Sequence, residues 1–311
     1  MRVLLVCAAA PGSRTGNRRT AQRWARLLRR LGHDAPIADA VEPADVVVAL
    51  HARHAAAAVR DAAGRMPVVL ALTGTDLYRD LAHDADARRS VELADRLVVL
   101  HDLAPADVPP PFRDKTRVIR QSARAFDGDA RRVGFRVAVV GHLRDVKDPL
   151  CAARAARLLP ETSRVRVIAA GRALDDASEA AARAEQLANP RYHWLGELSG
   201  RRALQLIARA RLLALTSHLE GGANVLGEAI ACGTPVVASD IAASRAALGA
   251  DYPALFPPGD ERALAGLLAR AETDRAWYGE LVRCMRARAP LFRERSELEA
   301  WRALLAELTR A

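Results

Sequence analysis

Two glutamates separated by seven residues stand in the stretch Ser217-His218-Leu219-Glu220-Gly221-Gly222-Ala223-Asn224-Val225-Leu226-Gly227-Glu228-Ala229. Gly221 and Gly222 let the backbone pass close to a ligand. Asn224 is of a type that caps helices, so a helix is expected to open there. Its first turn would offer N–H groups and partial positive charge to a phosphate. Glu228 then lies one turn inside, on the face of Asn224, where a carboxylate can accept two hydrogen bonds from a vicinal diol such as a ribose. Glu220, at the mouth of the loop, reaches the hydroxyls of a sugar. A second stretch, Gly141-His142-Leu143-Arg144-Asp145-Val146-Lys147-Asp148-Pro149, brings Arg144 and Lys147 to the end of an apolar run. A departing diphosphate gains negative charge, which an Arg fork and a Lys point charge can neutralise. Glycines, a helix start, two carboxylates and a basic turn together describe a nucleotide-sugar site.

The elements that must position these residues are short apolar runs alternating with helical patterns. Buried strands are predicted at 2–8, 45–50, 67–72, 96–100, 135–140, 165–170, 211–216 and 235–238. Most are continuous Val, Leu, Ile and Ala, the pattern of parallel strands covered on both faces. Helices are predicted at 18–31, 51–63, 148–159, 177–188, 199–210 and 224–231. The alternation predicts an α/β protein of two doubly wound domains. A polar, aperiodic stretch at 127–132 marks the break, with domains at 1–130 and 131–295. A last helix, 296–311, carries Leu298, Trp301, Leu304, Leu305 and Leu308 on one face, which must pack on something. Ligands of open parallel sheets sit beyond the carboxyl ends of the strands, so two such domains are expected to face each other across a cleft with two half-sites.

Bulk composition narrows the function. The 311 residues are 50% hydrophobic, enough for two cores. No run of about 18 apolar residues occurs, so no membrane insertion is expected, and residues 1–8 read as a first buried strand rather than a leader. The net charge of +10 rests almost wholly on Arg, with Lys115 and Lys147 the only lysines, and aromatics are 4%. The arginines are spread among acids without a basic block or aromatic interleaving, so nucleic acid is not an expected partner; an anionic small substrate fits the charge. Cys7, Cys151, Cys232 and Cys284 are far apart and read as small buried hydrophobes in a reducing, cytoplasmic setting. Asp84-Ala85-Asp86 and Asp127-Gly128-Asp129 match a metal-binding Asp-x-Asp by letter, but neither follows a buried strand.

The Glu220–Glu228 spacing with the Gly141–Lys147 turn resembles the donor site of glycosyltransferase family 4. The resemblance implies the GT-B fold, two Rossmann-like domains facing across a cleft, with the last helix crossing back to the first domain and no metal cofactor. It implies that Glu228 binds the donor ribose, that Glu220 faces the transferred sugar, and that Arg144 and Lys147 hold the diphosphate with the backbone N–H groups of Asn224 and Val225. Many members have an aromatic after the Glu-Gly; here stand Gly222 and Ala223, which implies an altered sugar pocket. Arg144, Lys147 and Glu220 are the residues expected to carry the transfer, and His142, Gly221, Gly222 and Ala223 are further donor-binding candidates.

In the first domain, Pro11-Gly12-Ser13-Arg14-Thr15-Gly16-Asn17 follows the first strand, and Gly16 and Asn17 offer N–H groups to a phosphate or form a plain turn. Thr73, Gly74 and Thr75 make a hydroxyl-rich turn suited to a small oxyanion, and Arg120-Gln121-Ser122 ends another strand. His51 and His101 lie at strand ends and are further candidates. The pieces Gly16-Asn17, Thr20-Ala21, Arg23-Trp24-Ala25, Ala49-Leu50-His51-Ala52-Arg53, Leu72 to Asp80, Val140 to Asp145 and Glu220 to Val225 resemble the selenosugar synthases of selenoneine biosynthesis. That resemblance implies transfer of a glycosyl group from UDP-glucose or UDP-N-acetylglucosamine to selenophosphate, with the acceptor phosphate near Gly16, Thr73 to Thr75 and Arg144. Small-molecule substrates are then the expected partners of a monomer or homodimer. The alternative is a family 4 enzyme acting on a hydroxyl acceptor, a lipid or polysaccharide, with the arginine-rich helix 18–31 facing a membrane.

Overall fold

A computed structural model describes residues 1–8, 12 and 15–309. The chain divides into two compact units, Met1–Gln121 with Glu294–Ala311, and Ser122–Arg293. The polar stretch 127–132 thus lies inside the second unit, and the chain leaves the first unit at Gln121.

The first unit is built on six parallel strands: β1 (Val3–Val6), β2 (Ile37–Ala38), β3 (Val46–Leu50), β4 (Val68–Ala71), β5 (Arg96–Val99) and β6 (Thr116–Val118), in the order β2-β1-β3-β4-β5-β6. Every residue of β1, β3 and β4 is buried. Side chains alternate across the sheet, so it carries two cores: Leu4, Val6, Val47, Ala49 and Leu70 point into one, and Val3, Leu5, Val46, Val48 and Val69 into the other. Neither face could be polar, which is why these strands read as unbroken apolar runs.

The second core is closed by the last helix, Glu294–Leu308, which belongs to the first unit. Trp301, fully buried, meets Trp24 of the helix Gly16–Arg30 edge-on, with ring centroids 4.9 Å apart and planes at 74°. The Trp24 indole N–H donates to Glu297 Oε1 at 2.9 Å. Around this apolar contact run ion pairs. Arg26 Nη2 lies 2.7 Å from Glu294 and Arg30 pairs with the same carboxylate, while Arg96 and Arg117 clamp Glu307 at 3.1 and 2.9 Å. The Arg117 hydrogen bond, and then Arg96, holds the Glu307 carboxyl below the usual carboxylate range.

The second unit repeats the plan with β7 (Phe135–Val140), β8 (Val165–Ala170), β9 (Tyr192–Trp194), β10 (Leu212–Leu215), β11 (Val236–Ser239) and β12 (Leu255–Phe256), all parallel, in the order β12-β11-β10-β7-β8-β9. Numbered within the unit this is 3-2-1-4-5-6, the Rossmann order, whereas the first unit has the flavodoxin-like order 2-1-3-4-5 with one strand added. The order reverses between β7 and β10. The short edge strands β2, β9 and β12 were not among the predicted strands, and the predicted helix 51–63 is a turn followed by the shorter helix Ala56–Ala62.

Burial pushes the Cys151 thiol up to about 12, so it packs as an inert apolar group. The closing of the first unit by Trp301 has a measurable weight. Trp301→Ala should cost roughly 3–5 kcal/mol, read as a lower urea midpoint for the transition of the first unit; an unchanged midpoint would show that the last helix is a passenger.

Candidate functional site

β7 and β10 are hydrogen-bonded neighbours, with Val137 opposite Leu212 and Ala138 opposite Leu213. Both run the same way, so the segments that follow them emerge side by side at the point where the strand order reverses. One is the Gly141–Asp148 turn and the other is Thr216–Asn224. The two stretches that the sequence picks out, 73 positions apart at Lys147 and Glu220, are brought together: Lys147 Nζ lies 2.6 Å from Glu220 Oε1. The Ser217 hydroxyl donates to the same oxygen at 2.7 Å. The carboxylate of Glu220 is 12% exposed and the Lys147 side chain 27%, so the pair is half-shielded from water yet reachable.

The basic turn is held from its other side by β8. Gly141 N–H donates to Ala170 O and Leu143 N–H to Arg172 O, both at 2.9 Å. The Arg172 N–H donates to His142 Nδ1 at 3.2 Å, so His142 serves the neighbouring loop. Gly171 comes so close to Gly141 that a Cβ on it would fall 1.7 Å from the Gly141 carbonyl oxygen. Arg144 is exposed at the head of a single 3₁₀ turn, Asp145–Lys147, and its carbonyl accepts from the Lys147 N–H at 2.8 Å. Asp148 closes that turn in the left-handed region, at φ 38°.

After β10, Gly221 and Gly222 lead into Ala223, which is left-handed at φ 40°, ψ 61°. The helix Asn224–Ala231 starts immediately after it. Asn224 is therefore the first helical residue and not the cap. The cap position belongs to Ala223, whose side chain has no oxygen to cap with and whose backbone is outside the extended region that a capping Asn adopts. The opening of this helix is thus without a side-chain cap, the arrangement in which a helix start can seat an anion. The same helix carries Val225 and, half-buried on its second turn, Glu228. It is seated through Gly227, where a Cβ would meet the Phe292 ring at 2.8 Å and the Ala123 methyl at 3.3 Å.

In the first unit the predicted oxyanion turn is already occupied by an anion of the chain itself. Asp76 is fully buried, and its carboxylate accepts from the N–H groups of Thr73 at 2.9 and 3.1 Å, Gly74 at 2.7 Å and Ala52 at 3.0 Å. The Thr75 hydroxyl is 3.0 Å from His51 Nε2. The backbone donors expected to meet a substrate oxyanion thus tie the ends of β3 and β4 together instead. His51 is buried with φ 82°, a conformation uncommon outside glycine, and stacks on His54 at 3.9 Å. The His54 N–H donates to His51 Nδ1 at 3.4 Å, which leaves the proton of the neutral ring on Nε2. Burial pushes His51 below its ordinary value, against the opposing pull of Asp76. His101 is likewise lowered by burial and sits between the Ala104 N–H and the Tyr78 hydroxyl, the latter 2.8 Å away.

The helix predicted from Arg18 begins at Gly16, capped by Thr15, whose hydroxyl accepts from the Arg18 N–H at 3.4 Å; Gly16 and Asn17 form its first turn. Pro11, Ser13 and Arg14 of this turn lie outside the described residues. Of the Asp-x-Asp pairs, Asp84 caps the helix Ala85–Leu93 and Asp86 pairs with Arg60 at 2.6 Å. Among the described residues no three His, Cys, Asp or Glu side chains gather as a metal site, and no helix is long and apolar enough to cross a membrane.

Two outcomes follow from this geometry. Gly171→Ala should push the Gly141 carbonyl away and destabilise the second unit by roughly 1–3 kcal/mol, read by urea denaturation; a wild-type midpoint would mean that the two backbones part freely. His51 refuses a proton that the unfolded chain accepts from about pH 6.5 downward, so folding stability should fall as pH drops below that point and hold steady above it. His51→Asn, which tolerates the positive φ, should flatten the fall between about pH 6.5 and 5 in denaturation curves; an unchanged slope would assign it to other groups.

Among curated proteins no match is found. Solved structures show the fold. Sucrose-phosphate synthase from Thermosynechococcus elongatus is 15% identical, with a TM-score of 0.80 over 99% of this chain and 98% of that one. HepE from Anabaena, solved with UDP-glucose, is 16% identical, with a TM-score of 0.77 over the full length of both. The α,α-trehalose-phosphate synthase (UDP-forming) from Burkholderia vietnamiensis is 15% identical, with a TM-score of 0.69 over 94% of this chain and 78% of that one. The fold is GT-B, with its two Rossmann-like units. The family described as "Glycosyl transferases group 1" matches residues 130–290, more than half of the chain and nearly all of the unit in which Lys147 meets Glu220, and the chain therefore belongs to the group 1 glycosyl transferases.

Proposed function

We propose that this glycosyl transferase is a selenosugar synthase that moves a glycosyl group from UDP-glucose or UDP-N-acetylglucosamine to selenophosphate. The observation that supports the donor half is the meeting of Lys147 and Glu220 at the reversal point of the second sheet, 2.6 Å apart beside an uncapped helix start. In this reading the donor diphosphate lies against Lys147, Arg144 and the N–H groups of Asn224 and Val225. Glu228 takes the ribose diol, and Glu220 faces the hydroxyls of the transferred sugar. The solved relatives with UDP in their names, HepE and the trehalose-phosphate synthase, are consistent with a UDP donor.

The acceptor half rests on the sequence pieces around Gly16, His51, Thr73 to Asp80 and Arg144 that resemble selenosugar synthases. Selenium in selenophosphate is a soft nucleophile that is already anionic, so its attack needs no general base, by analogy with a thiolate. Selenium bonds to the anomeric carbon as the bond from that carbon to the diphosphate oxygen breaks. UDP leaves with the electron pair and its new charge is met by Lys147 and Arg144. Water then attacks phosphorus, the selenium–phosphorus bond breaks, and phosphate and the 1-seleno sugar are released with no change of redox state. The fixed cations supply the charge for which other transferases use a metal, so none is called for. Free thiols at all four cysteines suit a reducing cytoplasm.

The hydroxyl-acceptor reading loses support from the first unit. Arg26 and Arg30 of the helix Gly16–Arg30 are paired with Glu294, and Arg29 donates to the Ala35 carbonyl at 2.6 Å, so these arginines serve the fold rather than a membrane-facing stripe.

The test incubates the protein with each UDP-sugar and selenophosphate and reads the product by mass spectrometry. A sugar with the selenium isotope pattern, formed together with UDP and phosphate, is expected. Lys147→Ala should lower turnover about 100-fold, the order seen when one transition-state charge contact is removed. UDP release without selenium in the product would assign a different acceptor, and no UDP release with any acceptor would remove the proposal.

A further inference from the structure

Two uncharged side chains just past the carboxyl end of β10 fix the charged loops, one by bonding across to the Lys147 turn and one by bonding within the Glu220 loop. Thr216 is 2% exposed, and its Oγ1 lies 2.9 Å from the Lys147 carbonyl oxygen and 2.9 Å from that of Asp148. Two residues on, the His218 N–H donates to the Val146 carbonyl at 2.8 Å. All three carbonyls of Val146–Asp148 are thus gripped from Thr216–His218. Ser217, also 2% exposed, sends its hydroxyl to Glu220, while its own carbonyl accepts from the Ser239 hydroxyl at 2.5 Å. Successive residues leaving a strand point to opposite sides, so one short segment serves both loops.

The need for such support is visible in the turn itself. Lys147 is the last residue of a single 3₁₀ turn, and Asp148, which follows it, is left-handed although it carries a Cβ. Such a conformation persists only where the surroundings impose it. The Asp148 carboxylate contributes by accepting from Arg154 at 2.8 Å. Thr216 holds the carbonyls of Lys147 and Asp148, and the His218 N–H holds that of Val146 before them.

We propose that Thr216 and Ser217 are positioning residues of the nucleotide-diphosphate site, Thr216 fixing the backbone that carries Lys147 and Ser217 fixing the Glu220 carboxylate. In the unliganded protein that carboxylate is the counter-ion of Lys147. An arriving diphosphate takes the ammonium over, and Ser217 keeps Glu220 in place to face the sugar. The two hydroxyls therefore act on different steps. Thr216 sets how well the diphosphate is held. Ser217 sets how well the sugar is transferred, and by steadying the rival anion it works slightly against diphosphate binding.

This inference rests on the reading of Lys147 as a diphosphate ligand, and the experiment separates the two. UDP is titrated calorimetrically into the full-length protein and its variants, and turnover of UDP-glucose is followed with selenophosphate present. Wild type should bind UDP. Thr216→Val, which takes the hydroxyl donor from the Lys147 carbonyl and leaves that of Asp148 with the Cys151 N–H, should bind it about tenfold more weakly, and Thr216→Ser should restore binding to within about twofold. Ser217→Ala should bind UDP as tightly as wild type or more tightly, while kcat falls about tenfold. Opposite responses of the two variants are not what a general loosening of the loop produces. UDP affinity unchanged in Thr216→Val, no rescue by Thr216→Ser, or parallel weakening in Ser217→Ala would each overturn the assignment while leaving the donor site standing. Should wild type fail to bind UDP, both readings fall together. Thr216→Val, which takes the hydroxyl donor from a buried carbonyl, is expected to melt below wild type, so the titrations are run well below the transition of every variant, as read from their thermal curves.

Discussion

A lysine and a glutamate half-buried side by side are stable only while each satisfies the other, and the Lys147–Glu220 pair imposes that condition on the second unit. Its partners come from loops that follow β7 and β10, and only the reversal of strand order between these two strands makes the loops neighbours. The glycine contact just after β8 with the first loop, the hydroxyls just after β10 and the glycine-seated helix all serve to keep that pair in register. The charge arrangement is neutral at rest, which spares the protein an uncompensated buried cation while no ligand is present.

The first unit uses the same architecture differently. At the carboxyl ends of β3 and β4 the backbone donors converge on Asp76, an anion that never leaves. His51 is kept neutral beside it by burial. A doubly wound sheet makes such donor clusters wherever strands end; whether they meet a ligand or a side chain is decided by a single residue placed a few positions downstream. Asp76, fixed by three N–H groups, closes one such cluster with the chain's own anion, whereas the helix start at Ala223 has no side-chain cap.

Much of this was legible in the sequence. Unbroken apolar runs such as Val46–Leu50 could only be strands covered on both faces, and the loops after the fourth and first strands of the second sheet stood out by their glycines and charges. What stayed hidden follows from range. β2, β9 and β12 are two or three residues long, too short for any periodicity. Asn224 has the chemistry of a cap but lost the position because the glycines before it bring the chain in through a left-handed Ala223. Nothing in Thr73-Gly74-Thr75 reveals that Asp76 will fold back on their backbone. Thr216 and Ser217 look like any hydroxyl pair at a strand end, and their meaning depends on Val146–Asp148 some seventy positions earlier. The contact of Trp24 with Glu297 spans 273 positions and is visible only in three dimensions.

The last helix closes the core of the unit that the chain began with. During synthesis, therefore, Trp24 and its apolar neighbours have no cover until the whole of Ser122–Arg293 has been made, a wait of roughly ten seconds or more on the ribosome. The intervening unit is contiguous in sequence and has its own core, so it can fold first. The core around Trp24 is then sealed after the unit that follows it in sequence, and until the helix Glu294–Leu308 emerges the nascent chain shows a sticky face with arginines at its margins. Chaperones that shield such faces would engage this chain before Ser122–Arg293 is made and release it once the helix Glu294–Leu308 has docked.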